Sequence, residues 1–378
     1  MKPNPLTADE VCSVLDRVDE KYKPVWDGCR REDKIALVRY FLPRNSAKPV
    51  LGPTRPRVVK WYCPFASQRD FPTGHRYCIN VYTGCSHECV YCYATGYAPK
   101  QAAIKQDFET LIDKDMKDLE HYDVPPAPVH LSNSTDPFQP LEITFGHTKY
   151  ALEQILTRRR RFTTVTILTK NPLLAARSDY MALFQKLATL PAGHPRYEEF
   201  NHKKQPGLVI EVSLAFWREA ARRRFDPCAP TVAERIEGIR RLQRAAIPLV
   251  LRIDPLFPRS PIGDQLPVTL AEYGLPEAQT LDDLENLVGF AKDMKVRHVV
   301  YSPAKIVRPR GRALAGTMQA WKTAYQTLVA PEKLVWRGGS WRLPPHVAEA
   351  KIVRPFLDIC KRLGVPAKYC KQNLIETP

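Results

Sequence analysis

The sequence predicts an α/β protein, an open (β/α)6 partial barrel of the TIM type, and three observations carry that prediction. Six strand-sized apolar runs fall at 77–82, 129–132, 163–169, 208–214, 248–253 and 297–302. Segments of helical length and mixed polarity separate and follow them, at 101–119, 147–159, 175–190, 231–245, 281–292 and 312–329. Strands that alternate with helices imply a parallel sheet with right-handed crossovers, and six units fall short of the eight that close a barrel. The third observation is the alternation inside the strands, where successive side chains point to opposite faces. One face reads Asn80, Tyr82, His130, Ser132, Thr166, Glu211, Ser213, Arg252, Asp254 and Ser302. The other reads Val81, Val129, Leu131, Ile167, Ile210, Leu251 and Ile253. A closed barrel fills its interior with branched apolar chains; a polar inner face predicts an open, wet lumen that holds a charged ligand.

Taken in order, residues 1–74 form an N-terminal extension. It contains candidate helices at 8–18, with Thr7 as N-cap, and at 34–41, then a connector at 43–56 rich in proline and arginine. Proline punctuates that connector too often for regular structure. The barrel occupies 75–330. Residues 331–378 make a small C-terminal cap, with one helix at 347–363 and a polar tail.

Composition narrows the class. Of 378 residues, 44% are hydrophobic and 26% charged, which fits a globular chain and excludes a mainly disordered one. No apolar stretch approaches the roughly 18 residues that span a bilayer, and the polar start carries no secretory signal, so a cytoplasmic location is expected. The 57 Lys and Arg outnumber the 40 Asp and Glu, a net +17 that favours an anionic partner such as nucleic acid. Arg218, Arg222 to Arg224, and Arg308, Arg310 and Arg312 follow the fourth and sixth strands, where they can contact phosphates, with Trp217 and Tyr301 to stack on bases. Arg158 to Arg161 fall at the opposite face and read as a solvated helix end.

Ten cysteines are too few for a disulfide scaffold in a chain of this length. Three of them, Cys85, Cys89 and Cys92, stand at C-x3-C-x2-C spacing just after the first strand, with Gly84 to turn the chain sharply. Three thiolates can hold three corners of a [4Fe–4S] cluster and leave the fourth iron free. Tetrahedral zinc needs a fourth ligand, from His87, Cys78 or Cys63. Cys12, Cys29, Cys63, Cys78, Cys360 and Cys370 have no regular metal spacing, and an auxiliary cluster drawn from Cys63, Cys78, Cys360 and Cys370 stays open.

The cysteine motif after strand one of a β/α series resembles the radical S-adenosylmethionine superfamily. The stretches 131–142 (LSNSTDPFQPLE), 166–172 (TILTKNP), 211–214 (EVSL), 227–231 (PCAPT) with Glu234 and Arg235, and 252–258 (RIDPLFP) narrow the resemblance to the spore photoproduct lyase-like branch, often labelled "DNA repair photolyase". The resemblance implies a [4Fe–4S] cluster on Cys85, Cys89 and Cys92 that reductively cleaves bound S-adenosylmethionine to a 5′-deoxyadenosyl radical. It implies hydrogen abstraction from DNA or another nucleic acid, or else from a peptide or small molecule, with a reductase such as flavodoxin or ferredoxin as electron donor. By the same carry-over Tyr91 packs by the cluster, and Lys170 and Ser213 meet the carboxylate of S-adenosylmethionine. Ser132 and Asp136 lie where its amino group is held. Arg252 and Asp254 either pair in the lumen or bind ribose and adenine. Tyr91 and Tyr93 match the tyrosines that flank the third cluster cysteine. The hydrogen-donating cysteine of the lyase has no counterpart in 133–139; Cys228 is the barrel cysteine left over, and with Tyr93 it makes the candidate catalytic pair. A zinc-stabilised nucleic-acid-binding protein without catalysis is the rival reading.

Overall fold

All six predicted strands form, in the predicted order and parallel. They are β2 (Tyr77–Ile79), β3 (Ala127–Leu131), β4 (Phe162–Thr169), β5 (Leu208–Ser213), β6 (Leu249–Leu256) and β7 (Val299–Pro303). The computed structural model describes residues 58–60, 76–96, 101–121, 126–257, 278–307, 319, 322, 323, 325–327, 329, 332–337 and 339–370. The candidate helices at 8–18 and 34–41, the connector at 43–56, Cys12, Cys29, Cys63, and Arg308, Arg310 and Arg312 lie outside the described residues. The segment 312–329 is described only in part.

Two further strands extend this sheet at its edges. The short β1 (Val59–Lys60) pairs antiparallel with β2, and the amides of Val58 and Val59 donate to the buried Asp115 carboxylate at 2.6 and 2.9 Å. At the other edge β11 (Ala367–Tyr369), in the stretch read as a polar tail, pairs parallel with β7. A separate three-stranded sheet is built from β8 (Ile306–Val307), β9 (Val335–Arg337) and β10 (Ser340–Arg342).

The apolar strand face packs outward on helices. In chain order these are α1 (Phe108–His121), α2 (Leu141–Phe145), α3 (His147–Thr157), α4 (Pro172–Ala175), α5 (Ser178–Leu187), α6 (Tyr197–His202), α7 (Glu219–Phe225), α8 (Val232–Arg244), α9 (Leu281–Asp293), α10 (Pro345–Ala348) and α11 (Arg354–Leu363). Val129, Ile167, Ile210, Leu251 and Ile253 are fully buried beneath them. Local chemistry sets several boundaries. Asn171 caps α4 and Pro172 opens it. Thr231 with Glu234 forms a capping box on α8, as Thr280 with Asp283 does on α9. Gly364, in the left-handed region at φ 70°, ends α11. Among the described residues no helix is long and apolar enough to cross a membrane.

Arg159 corrects the reading of 158–161 as a solvated helix end. Its guanidinium is buried and donates to the carbonyls of Phe162, Thr163, Leu187 and Gly207 at 2.6, 2.6, 3.2 and 3.1 Å. It bolts β4 to the turn that enters β5. A Cβ on Gly207 would lie 2.5 Å from the Leu187 carbonyl oxygen and 2.9 Å from the Thr189 carbonyl carbon, backbone atoms that cannot swing aside, so this position favours glycine.

Candidate active site

The cysteine loop leaves β2 at its C-terminal end, turns at Gly84 (φ 69°), and is held on several sides. Thr83 bridges Ala103; the Ser86 amide donates to Gln139 Oε1 at 3.1 Å. The Val90 amide donates to the Phe225 carbonyl at 2.9 Å, and the Cys228 amide to the His87 carbonyl at 3.3 Å. His87 Nε2 lies 3.0 Å from Asp136 Oδ2. None of the three cysteines is in a disulfide; Cys89 is buried and Cys85 and Cys92 are half-buried. Each of Cys85 and Cys92 acts electrostatically on Cys89. Burial pushes the Cys85 thiol up to about 12, Asp136 adding to the rise, while the backbone amides of His87 and Asp136 donate to it. Burial likewise raises Cys89 well above an ordinary thiol. Without a metal, then, the Cys85 and Cys89 thiols hold their protons.

The donor set suits a cluster better than one ion. Three soft sulfurs on a loop, one per corner, match the thiolate chemistry of iron–sulfur centres. Of the extra zinc ligands considered, His87 is turned to Asp136, Cys78 accepts from Asn133 Nδ2 at 2.9 Å, and Cys63 lies outside the described residues. Cys78 and Cys370 stand near opposite edges of the sheet, and Cys360 is buried on α11, so these three assemble no second centre.

Beneath Cys89 lies a buried ionic group. Lys170 Nζ donates to Tyr91 Oη at 2.6 Å, Ser213 Oγ at 3.0 Å and Asp226 Oδ2 at 3.2 Å. Tyr91 Oη donates to Asp226 Oδ1 at 2.5 Å. Arg235 forks onto Asp226 Oδ2 with both terminal nitrogens at 3.1 Å, and both residues are wholly buried. Burial would raise the Asp226 carboxyl, but Lys170 and Arg235 hold it well below the usual carboxylate range. Burial would lower Lys170, and Asp226 with Cys89 keeps it above its ordinary value.

Deeper in the lumen Arg252 Nη1 binds Glu211 Oε2 at 2.6 Å. Its Nη2 meets Asp254 Oδ2 at 2.6 Å and Cys370 Sγ at 2.9 Å. Ser302 Oγ donates to Asp254 Oδ1 at 2.5 Å. His130 is buried beside this layer; burial and the charges of Arg76 and Arg252 keep its imidazole neutral at pH 7, and its Nδ1 has no partner. The inner face is therefore polar and charged, as the alternation predicts. Tyr82 departs from it: β2 stops at Ile79, and the Tyr82 hydroxyl turns to Glu142 at 2.5 Å.

The sequence-predicted residues divide clearly. Cys85, Cys89, Cys92, Tyr91, Lys170 and Ser213 come together. Arg252 and Asp254 form the lumen pair. Ser132 ends β3 in the left-handed region (φ 63°), its Oγ buried without a partner, and its amide on the Ile79 carbonyl at 2.7 Å. Backbone held there against a side chain's preference is strain of the kind found at functional sites.

Asp136 is not open toward a ligand's ammonium. Its carboxylate takes the Lys170 amide at 2.6 Å, Thr169 Oγ1 and the Phe138 amide at 2.8 Å, and His87. Tyr93 is exposed and gives its hydroxyl to the Asn133 carbonyl. Cys228 is exposed, 3.7 Å from the carboxylate of Glu88. Arg222, expected at a phosphate-binding rim, is buried and donates to the carbonyls of Asp226, Pro227 and Ala229, each at 3.0 Å. Arg218 is paired with Asp283 at 2.8 Å. Trp217 packs on Phe290, and Tyr301 is buried against Phe356. Asp226 escaped the sequence reading because an aspartate before Pro227 looks like a turn former. The signal that marks it is Arg235, nine residues on and the fourth residue of α8.

No family model matches the sequence. An uncharacterized protein from Methanocaldococcus jannaschii is 23% identical over 185 residues, covering 49% of this chain and 62% of that protein. The chain thus spans under two thirds of the length of that curated relative. Among solved structures, a spore photoproduct lyase with a cysteine-to-serine substitution aligns with a TM-score of 0.51 at 12% identity, over 84% of this chain and 80% of that one. A doubly substituted spore photoproduct lyase with bound AdoMet and dinucleoside spore photoproduct aligns with a TM-score of 0.51 at 12% identity, over 96% of both chains. At these identities the likeness is one of architecture: the chain has the partial-barrel fold of spore photoproduct lyase.

Proposed function

We propose that the chain is a radical S-adenosylmethionine enzyme acting on nucleic acid. One observation carries this reading: three cysteines outside any disulfide, Cys85 and Cys92 both acting electrostatically on Cys89, lie on the loop at the C-terminal end of the first parallel barrel strand, at the mouth of a charged lumen. Cys85, Cys89 and Cys92 would hold a [4Fe–4S] cluster; when bound, it supplies the electron that cleaves S-adenosylmethionine to a 5′-deoxyadenosyl radical. The chain's own residues have separate tasks. Gly84 and the brackets from Gln139, Asp136 and Phe225 fix the loop. Backbone amides of His87 and Asp136 donate to the Cys85 sulfur, the kind of contact that tunes such centres. Ser213 and Lys170 present a hydroxyl and an ammonium toward the carboxylate of S-adenosylmethionine, Ser213 being the neutral partner that Lys170 gives up at least cost. Arg252, Glu211 and Asp254 line the lumen with fixed charge. A spore photoproduct lyase of the same fold has been solved with AdoMet and a dinucleoside photoproduct bound, which supports this choice of ligands.

Nucleic acid as the substrate class is supported by the net +17 and by the small sheet. That sheet continues directly from β7, so it stands at the C-terminal mouth. Its β9–β10 hairpin carries Trp336, half exposed, edge-on to Trp341, with Lys322 Nζ 4.2 Å from the Trp341 ring centre and Arg337 exposed beside them. Aromatic faces beside cations suit stacked bases and phosphates.

The test is anaerobic. Protein reconstituted with iron and sulfide, given dithionite and S-adenosylmethionine, should release 5′-deoxyadenosine, and Cys89→Ala should release none. Zinc in place of iron and sulfide would instead support the non-catalytic binding protein. Oligonucleotide binding should weaken steeply with salt; no binding at low salt would return the substrate to peptides or small molecules.

A further inference from the structure

Lys170 is not a free hand waiting for a ligand. An ammonium has three N–H donors, and Tyr91, Ser213 and Asp226 take all three. It holds the hydroxyl of Tyr91, the residue that stands between Cys89 and Cys92 in the loop, and its charge and that of Asp226 act on the Cys89 sulfur. When Cys89 gives up its proton to bind iron, a thiolate and a carboxylate stand side by side in a buried place. Lys170 and Arg235 are the two cations that make this tolerable, and with one anion, Asp226, they leave one net positive charge. Every member is fixed: Asp226 and Arg235 are wholly buried, Arg235 is also tied to the Ser213 and Pro230 carbonyls at 3.2 and 3.0 Å, and Tyr91 is wedged between Phe216 and Phe257. Reduction potentials of iron–sulfur centres follow the net charge and hydrogen bonding around their sulfurs, and fixed charges in a dry site act strongly.

We infer that Lys170, anchored by Asp226, Tyr91 and Arg235, is a resident cation of the metal centre that raises its reduction potential, independently of any contact with S-adenosylmethionine. This rests on the reading of the three thiols as a cluster site. It makes Lys170 and Asp226 positioning residues that work through charge and with opposite sign.

The experiment is a potentiometric titration of the reconstituted full chain, followed by electron paramagnetic resonance, with no S-adenosylmethionine present. Lys170→Gln removes a positive charge and should move the potential to a more negative value. Asp226→Asn removes a negative charge and should move it to a more positive one. Lys170→Arg should stay near the wild type, as should Lys149→Gln, a surface charge change far from the loop. A Lys170→Gln potential equal to the wild type, or shifts of the same sign in both variants, would overturn the inference, since a merely loosened site has no reason to respond in opposite directions. Should Lys170→Gln fail to load iron, the sign of the Asp226→Asn shift decides alone. Absence of any iron–sulfur spectrum in the wild type overturns the cluster reading instead, so the two failures are distinct.

Discussion

Gly238 and Leu173 meet backbone to backbone: a Cβ on Gly238 would lie 2.3 Å from the Leu173 amide nitrogen and 2.4 Å from the Pro172 carbonyl carbon. Neither atom belongs to a flexible side chain, so α8 and α4 must part to admit a methyl group. Gly238→Ala should cost about 1–3 kcal/mol, read as a lowered thermal midpoint. Because α4 begins two residues after Lys170, the same substitution should weaken S-adenosylmethionine binding although it touches no ligand.

The cysteines should separate by location. Cys85→Ala, Cys89→Ala or Cys92→Ala should each abolish stable iron loading, measured as iron and sulfide per chain after reconstitution. Cys228→Ser should leave iron content and 5′-deoxyadenosine release unchanged, since that thiol is exposed against Glu88. A Cys228→Ser protein that loads iron but forms no 5′-deoxyadenosine would restore Cys228 to the catalytic group.

Arg252 holds two carboxylates at once. Replacing it with Met leaves Glu211 and Asp254 buried without their cation, and breaking such a pair costs about 3–5 kcal/mol. A denaturation midpoint close to wild type would show that Arg252 serves a ligand rather than the lumen wall.

Acid should loosen the loop through Asp136. Burial alone would raise its pKa, but His87 and the donors from Lys170 and Thr169 hold it below the ordinary carboxylate value. The unfolded chain then takes up the proton first. The stabilisation is complete above the unfolded value of about 4 and is lost as pH falls through the lower folded value. Asp136→Asn should flatten the loss of stability below about pH 4, followed by chemical denaturation.

Much of this was legible in the residues. The six strands and the polar inner face follow from periodicity, because a parallel sheet with helices on one side needs both signals. Cys85, Cys89 and Cys92 stood out because few structural roles demand them at that spacing, and Lys170 through the resemblance of the stretch 166–172. Asp226, Arg222 and Arg159 were hidden for a common reason: a charged residue near a turn is usually solvated, and nothing local tells when backbone carbonyls will close around an arginine, or a lysine and an arginine around an aspartate. Asp136 was visible as a residue but not as a strut, since its partners come from β4 and the cysteine loop. The strand Ala367–Tyr369 carries too few apolar residues to announce itself; its place comes from the free edge of β7.

That last strand also orders events in time. Cys370 reaches Arg252 across 118 residues of sequence, and Ala367–Tyr369 pairs with Val299–Tyr301. Until the ribosome has delivered this segment, one flank of the half-built sheet lies open, and water can reach Arg252 and Asp254. Docking of the final strand seals that flank.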